Sequence, residues 1–132
     1  MRTDTEIKDG IYGYIKGTSL EAAVTGQLLK TRRPKNSDKE DIVISVLANE
    51  GNQEQEAVVN VNIYVEDNIV DGQPEEDTIR CRELGGIAKE ILEVFRVDGA
   101  RVALSRPPRT FEAEGIAWHI INCRLNYHLI NE

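Results

Sequence analysis

Ile7, Ile11 and Ile15 recur every four residues with Tyr14 beside them, so the chain opens on one apolar helical stripe. Thr3-Asp4-Thr5-Glu6 just ahead has the form of a capping box, in which hydroxyl and carboxylate satisfy each other's free backbone N–H groups. Gly10 and Gly13 lower the intrinsic propensity of this helix by up to about 1 kcal/mol each relative to Ala, so tertiary packing has to hold it. Gly17 is a natural stop. Thr18-Ser19-Leu20-Glu21 repeats the capping pattern and predicts a shorter helix carrying Leu20, Ala23 and Val24 that ends by Gly26.

From Gln27 the period changes. Gln27 to Thr31 reads as a strand, followed by a polar connection from Arg33 to Asp38 rich in turn formers. Ile42 to Leu47 is a stronger strand, apolar on both faces and therefore expected to be central. A polar stretch, Asn49 to Gln55, leads to the cleanest alternation in the chain, Ala57 to Val65. Val59, Val61, Ile63 and Val65 face one way there, and Val58, Asn60, Asn62 and Tyr64 the other. One dry face and one partly wet or intersubunit face follow.

Asp67 to Gln73 reads as loop. Pro74-Glu75-Glu76-Asp77 predicts a helix start, with Pro in the first turn and acids at the positive dipole end. Ile79, Leu84, Ile87, Ala88, Ile91, Leu92 and Phe95 continue that helix to about Val97. Gly85-Gly86 inside it suggests close packing on a sheet, or alternatively docking of a partner backbone. Asp98-Gly99 is a turn signal, and Arg101 to Ser105 a short strand that Pro107-Pro108 must end. From Ile116 to Ile130, Ile121, Cys123, Leu125, Tyr127 and Leu129 alternate with Asn122, Arg124, Asn126 and His128. A strand of that length would span about 50 Å, so a bend or bulge is expected between Gly115 and Ile121. The order is α-α-β-β-β-α-β-β. It predicts one α+β domain over residues 1–132, a largely antiparallel sheet of about five strands with a long helix on one face, N-terminal helices, and an extended hairpin at 27–47.

Candidate chemistry is sparse. The chain has no GxGxxG or GxxxxGK[ST] phosphate loop and no GxSxG elbow. Glu6-Ile7-Lys8 has the spacing of a nuclease ExK but lies in an amphipathic helix without a partnering Asp. Glu112, Glu114 and His119 could form an acid/base group of a small hydrolase, and the Val58/Asn60/Asn62/Tyr64 face a groove for a peptide or ligand. His119 and Cys123 share a strand face roughly 13 Å apart by strand rise, too far for a nucleophile and its base. Cys81 and Cys123 form no CxxC pair and read as buried thiols. With His119 and His128 they show no zinc spacing, so neither metal nor cofactor is expected.

Charge placement says more. Lys and Arg number 16 against 23 Asp and Glu, a formal net charge of −7, which argues against non-specific nucleic-acid binding. No apolar run reaches the roughly 18 residues of a membrane span, and Met1 to Glu6 has no apolar signal-peptide core, so no secretory signal is expected. The total is nevertheless a sum over separated blocks. Lys30, Arg32, Arg33 and Lys35 form one basic run, and Arg101, Arg106 and Arg109 another. Every ionised residue from Glu50 to Asp77 is acidic, including Glu66, Asp67, Asp71, Glu75, Glu76 and Asp77. Complementary blocks favour head-to-tail contacts between copies.

Arg33-Pro34-Lys35-Asn36-Ser37 running into Glu40-Asp41-Ile42-Val43-Ile44, and Glu56-Ala57-Val58-Val59-Asn60-Val61-Asn62-Ile63-Tyr64-Val65, resemble small proteins of phage and prophage tail-assembly regions. The resemblance is to the tail-completion group (tail terminator or head–tail joining), from Bacteroides-type phages in particular. It departs from that group at Glu66, where relatives are expected to carry Pro. The resemblance implies a non-enzymatic virion protein, assembled in the host cytoplasm, that self-associates into a ring, often of six. Tail-tube and head-connector proteins are the implied partners. Lys30, Arg32, Arg33 and Lys35 would then lie on the extended hairpin and reach a neighbouring subunit or the channel, with Glu66, Asp67, Asp71, Glu75, Glu76 and Asp77 as the natural counterpart.

Overall fold

A computed structural model describes residues 1–51 and 53–130. Helix α1 (Asp4–Ile15) starts as its sequence predicts. Glu6 N–H donates to the Thr3 hydroxyl at 3.2 Å and Thr3 N–H to the Glu6 carboxylate at 3.0 Å, while Ile7, Ile11 and Ile15 are fully buried. Helix α2 (Ser19–Ala23) forms without the second capping box. The Thr18 hydroxyl instead donates to Ile15 O at 2.6 Å, and Glu21 accepts from Gly17 N–H at 2.8 Å.

Strand β1 is only Leu28–Leu29 and pairs in parallel with β2 (Ile42–Gly51), so residues 27–47 do not form the expected hairpin. The connection between them folds back onto the domain because Asp41, 1% exposed, gathers it. Its carboxylate accepts from Gln27 N–H (2.9 Å), Arg33 Nε (3.0 Å) and Ser37 Oγ (2.6 Å). β2 is also not central. It lies one place from the sheet edge, and a register shift between Val46 and Ala48 leaves Leu47 exposed. β3 (Glu54–Glu66) and β9 (Trp118–Ile130) are the long central pair, in unbroken register from Glu54↔Ile130 to Glu66↔Trp118. Most of the polar stretch from Asn49 to Gln55 is therefore strand; its Asn52 lies outside the described residues.

Asp71-Gly72, at φ 51° and 75°, turns a separate two-stranded hairpin, β4 (Asn68–Val70) with β5 (Gln73–Glu75), where a loop was expected. Pro74 thus sits in a strand. Helix α3 (Thr78–Leu92) begins later, with the Asp77 carboxylate accepting from Arg80 N–H at 3.0 Å. The helix also ends earlier than expected. Phe95 fits a helical stripe and a strand alternation equally well, and Asp98-Gly99 (φ 50° and 86°) decides between them. Positive φ at both central residues makes the tight turn of a β-hairpin, which joins β6 (Val94–Val97) to β7 (Ala100–Leu104).

The sheet has seven strands, more than expected, in the order β1-β2-β3-β9-β7-β6, with β8 (Arg109–Glu112) also pairing β9. β7 and β8 run end to end along β9. Between Ser105, which bonds Arg124, and Arg109, opposite Asn122, three residues stand against one on β9, Cys123. The expected bend falls at Gly115 (φ 77°) and the two residues after it, so β9 begins only at Trp118 and runs unbroken; a separate bulge lies in the partner strand. Pro107 and Pro108, which have no N–H to pair, occupy it.

All three helices share one core with the inward residues of the sheet, among them Ile44, Val61, Cys123, Leu125 and Val102. α1 touches both β2 and β6, which stand far apart in the strand order, so the sheet curls around it. Tyr14 stacks on Phe95 with ring centroids 3.8 Å apart. A Cβ at Gly10 would come within 2.7 Å of Val97 Cγ1, which explains a glycine in the middle of this helix. Gly85 and Gly86 have no such reason: a Cβ there would meet nothing within 4 Å, and they border an open cleft with Pro107 and Thr110. Among the described residues no helix is long and apolar enough to cross a membrane.

Candidate functional site

Side chains alternate along a strand, so the unbroken β3–β9 register fixes what the second face of the sheet carries. Asn62 lies opposite Asn122, Asn60 opposite Arg124, Val58 opposite Asn126, and Glu56 opposite His128. None of these belongs to the core shared with the helices. Asn122 is 5% exposed and ties the row together: its Nδ2 donates to Asn62 Oδ1 at 2.7 Å and Asn60 Oδ1 at 3.1 Å, and its Oδ1 accepts from Arg106 at 2.9 Å. A buried polar group without partners costs about 1–3 kcal/mol, and this network avoids that cost without a helix above it.

Arginines gather beside the asparagines. Arg109 pairs in register with Asn122, Arg124 lies two residues along β9, and Arg106 reaches in from the proline bulge. Burial, then the nearby charges of Arg124 and Arg109, hold the Arg106 guanidinium below its usual value. Among the described residues none of the three forms an ion pair, and the buried Nε atoms of Arg106 and Arg124 have no hydrogen-bond partner. Phe111, 47% exposed, continues the surface opposite Ile120.

The basic run expected to reach a neighbour is mostly committed inside the chain. Arg33 pairs with Asp41, donates to Lys39 O at 2.7 Å, and has its guanidinium 4.4 Å from the Tyr64 ring and 4.2 Å from the Trp118 ring. Lys30 bonds Asp9 at 2.9 Å. Arg32 and Lys35 remain exposed. The acidic residues divide similarly. Asp67 is buried against His119 Nδ1 at 2.5 Å, Asp77 caps α3, and Glu76 is half-buried, whereas Glu66, Asp71 and Glu75 are exposed. Asp71 and Glu75 belong to the β4–β5 hairpin, every residue of which is exposed, with Ile69 at 64% and Val70 at 44%.

Glu112 lies opposite His119 in the β8–β9 register, and Glu114 stands in the turn beyond. No hydrogen bond links the three among the described residues; His119 is held by Asp67 instead. Neither cysteine supplies a nucleophile at neutral pH. Burial, with Glu76, Asp77, Asp67 and Glu40 adding to it, pushes the Cys81 thiol to about 11, and burial alone pushes Cys123 to about 12. Glu54, Glu56 and His128 hold potential ligand atoms within 4.8 Å of one another at the far end of the open face, beside a cleft of about 320 Å³.

Sequence reasoning found the basic residues Arg101, Arg106 and Arg109 as a block, but missed that Arg124 joins them. The signal was present in the alternation of β9; the proline bulge that aligns β8 with Asn122 was not readable. Set against protein-family models and curated proteins, the chain matches none.

Proposed function

We propose that this chain is a non-enzymatic subunit of a phage tail assembly, self-associating into a ring that completes the tail or joins it to the head. The observation that carries the proposal is the β4–β5 hairpin, which stands outside the main sheet with Ile69 and Val70 exposed. A lone two-stranded hairpin is marginal in water, and apolar side chains on it gain burial only against another surface. The helix-free sheet face, polar and half-buried, supplies such a surface. The likeness of the Arg33-to-Ile44 and Glu56-to-Val65 segments to tail-completion proteins supplies the tail, the ring of six, and the tail-tube and head-connector partners. The virion is the corresponding location.

Light scattering over a range of protein and salt concentrations, alone and with tail-tube protein from the same genome, tests this. Oligomers that grow with concentration and weaken with salt, or capping of tube ends seen by electron microscopy, are expected. A monomer that leaves tube length unchanged overturns the proposal.

A further inference from the structure

Resting on that self-association, we infer that the β4–β5 hairpin of one copy docks on the Arg106/Arg109/Arg124 cluster of the next. The carboxylates of Asp71 and Glu75 meet the guanidiniums, while Val70, on the same hairpin face as Glu75, covers Phe111.

The occupant follows from complementarity. The receiving surface carries three cations without an ion-pair partner among the described residues, two of them with buried, unbonded Nε atoms. The two guanidiniums are partly buried, and each holds a desolvated Nε–H without an acceptor, which an arriving anion would satisfy; a carboxylate can take a guanidinium through two parallel hydrogen bonds. The hairpin offers two exposed carboxylates, Asp71 at its turn and Glu75, with the exposed Val70 between them on the face of Glu75. The cluster offers the converse, cations bordering an exposed Phe111. A second copy fits better than a nucleic acid, because its hairpin brings carboxylates and an apolar side chain together and the chain as a whole carries −7, which repels a polyphosphate. Each copy holds both halves of the contact, so it repeats from copy to copy.

This places the basic partner on β8, β9 and the proline bulge, not on the Lys30-to-Lys35 run, whose Arg33 is stacked and paired within its own chain.

Charge reversal tests the contact. Glu75→Arg and Arg109→Glu lie at exposed strand positions and should leave the fold intact by circular dichroism. Each alone should weaken self-association by about 30-fold or more, the usual cost of turning a close interfacial pair into a repulsion. Mixing the two variants, or combining them in one chain, should restore much of it. Arg32→Glu serves as the control and should change little. Oligomers that form normally in both single variants overturn the docking while leaving the assembly proposal standing; a wild-type chain that never self-associates overturns both. Binding of duplex or single-stranded DNA that Arg109→Glu abolishes, with self-association untouched, assigns the cluster to nucleic acid and overturns the docking as well.

Discussion

Val59, Val61 and Ile63 lie opposite Leu125, Cys123 and Ile121 beneath the helices, all of them essentially solvent-free. Asn60 and Asn62, from the same strand, lie opposite Arg124 and Asn122 with no helix over them. The two faces share one backbone and one register, yet they solve different problems. On the covered face stability comes from removing apolar surface from water, about 25 cal/mol per Å². On the open face, polar side chains satisfy one another laterally, and cations are left over. A one-residue slip of β3 against β9 would exchange the two sets, so the covered face also fixes where the arginines appear. Stability and recognition are thereby separable by substitution.

The largest effect should come from the covered face. Leu125 is fully buried in the centre of the core, and Leu125→Ala should cost about 4 kcal/mol, the transfer free energy of the lost atoms plus the cavity. Its neighbour Asn126 faces the other way and is exposed, so Asn126→Ala should stay within about 0.5 kcal/mol. Urea denaturation of both variants measures the contrast. Equal costs would mean that the open face is as closed as the other.

Asp41 tests the seam between the two regions, where the chain crosses from α2 to β2 and carries Arg33 onto Tyr64 and Trp118. Asp41→Asn should cost about 2 kcal/mol, less than for a fully enclosed pair because Arg33 keeps its aromatic contacts and the Lys39 carbonyl. Burial by itself would raise the pKa of Asp41, but the hydrogen bonds from Ser37, Gln27 and Arg33 outweigh it and hold the carboxyl below its ordinary value. The folded state therefore favours the ionised form. Its contribution is complete above about pH 4, the ordinary Asp value, and is lost as pH falls towards the lower folded value. Stability measured against pH should show wild type losing more than Asp41→Asn over that acidic range. Parallel curves would show that the carboxylate is not the anchor of this connection.

What the sequence revealed follows the same division. The stripe of Ile7, Ile11 and Ile15 and the alternations of β3 and β9 were legible because burial on one side imposes a period. The pairing partners were less so. Leu28-Leu29 joins β2 in parallel through a side-chain hub at Asp41, which no periodicity announces. Phe95 satisfied two periods at once, and only the Asp98-Gly99 turn geometry separates them. Arg33 looked free because its charge is visible in a sequence, while its stacking between Tyr64 and Trp118 is a property of the fold. The arginine cluster needs β8 to be set against Asn122 by a two-residue proline bulge, and that offset has no hydrophobic pattern of its own.

The smallest effect on stability should be the most informative. Val70 is 44% exposed on a hairpin outside the main sheet, so Val70→Ser removes little buried surface and should change the unfolding free energy by no more than about 0.5 kcal/mol. Replacing an exposed β-branched side chain with a polar one should if anything improve solubility. If Val70 serves the chain only, the substitution is silent in every assay. If it serves a contact between copies, self-association falls at unchanged stability, and the midpoint of assembly moves to higher protein concentration in sedimentation. An apolar side chain held in water by a turn that positions it, Asp71-Gly72, is then explained by the surface it meets rather than by the fold that carries it.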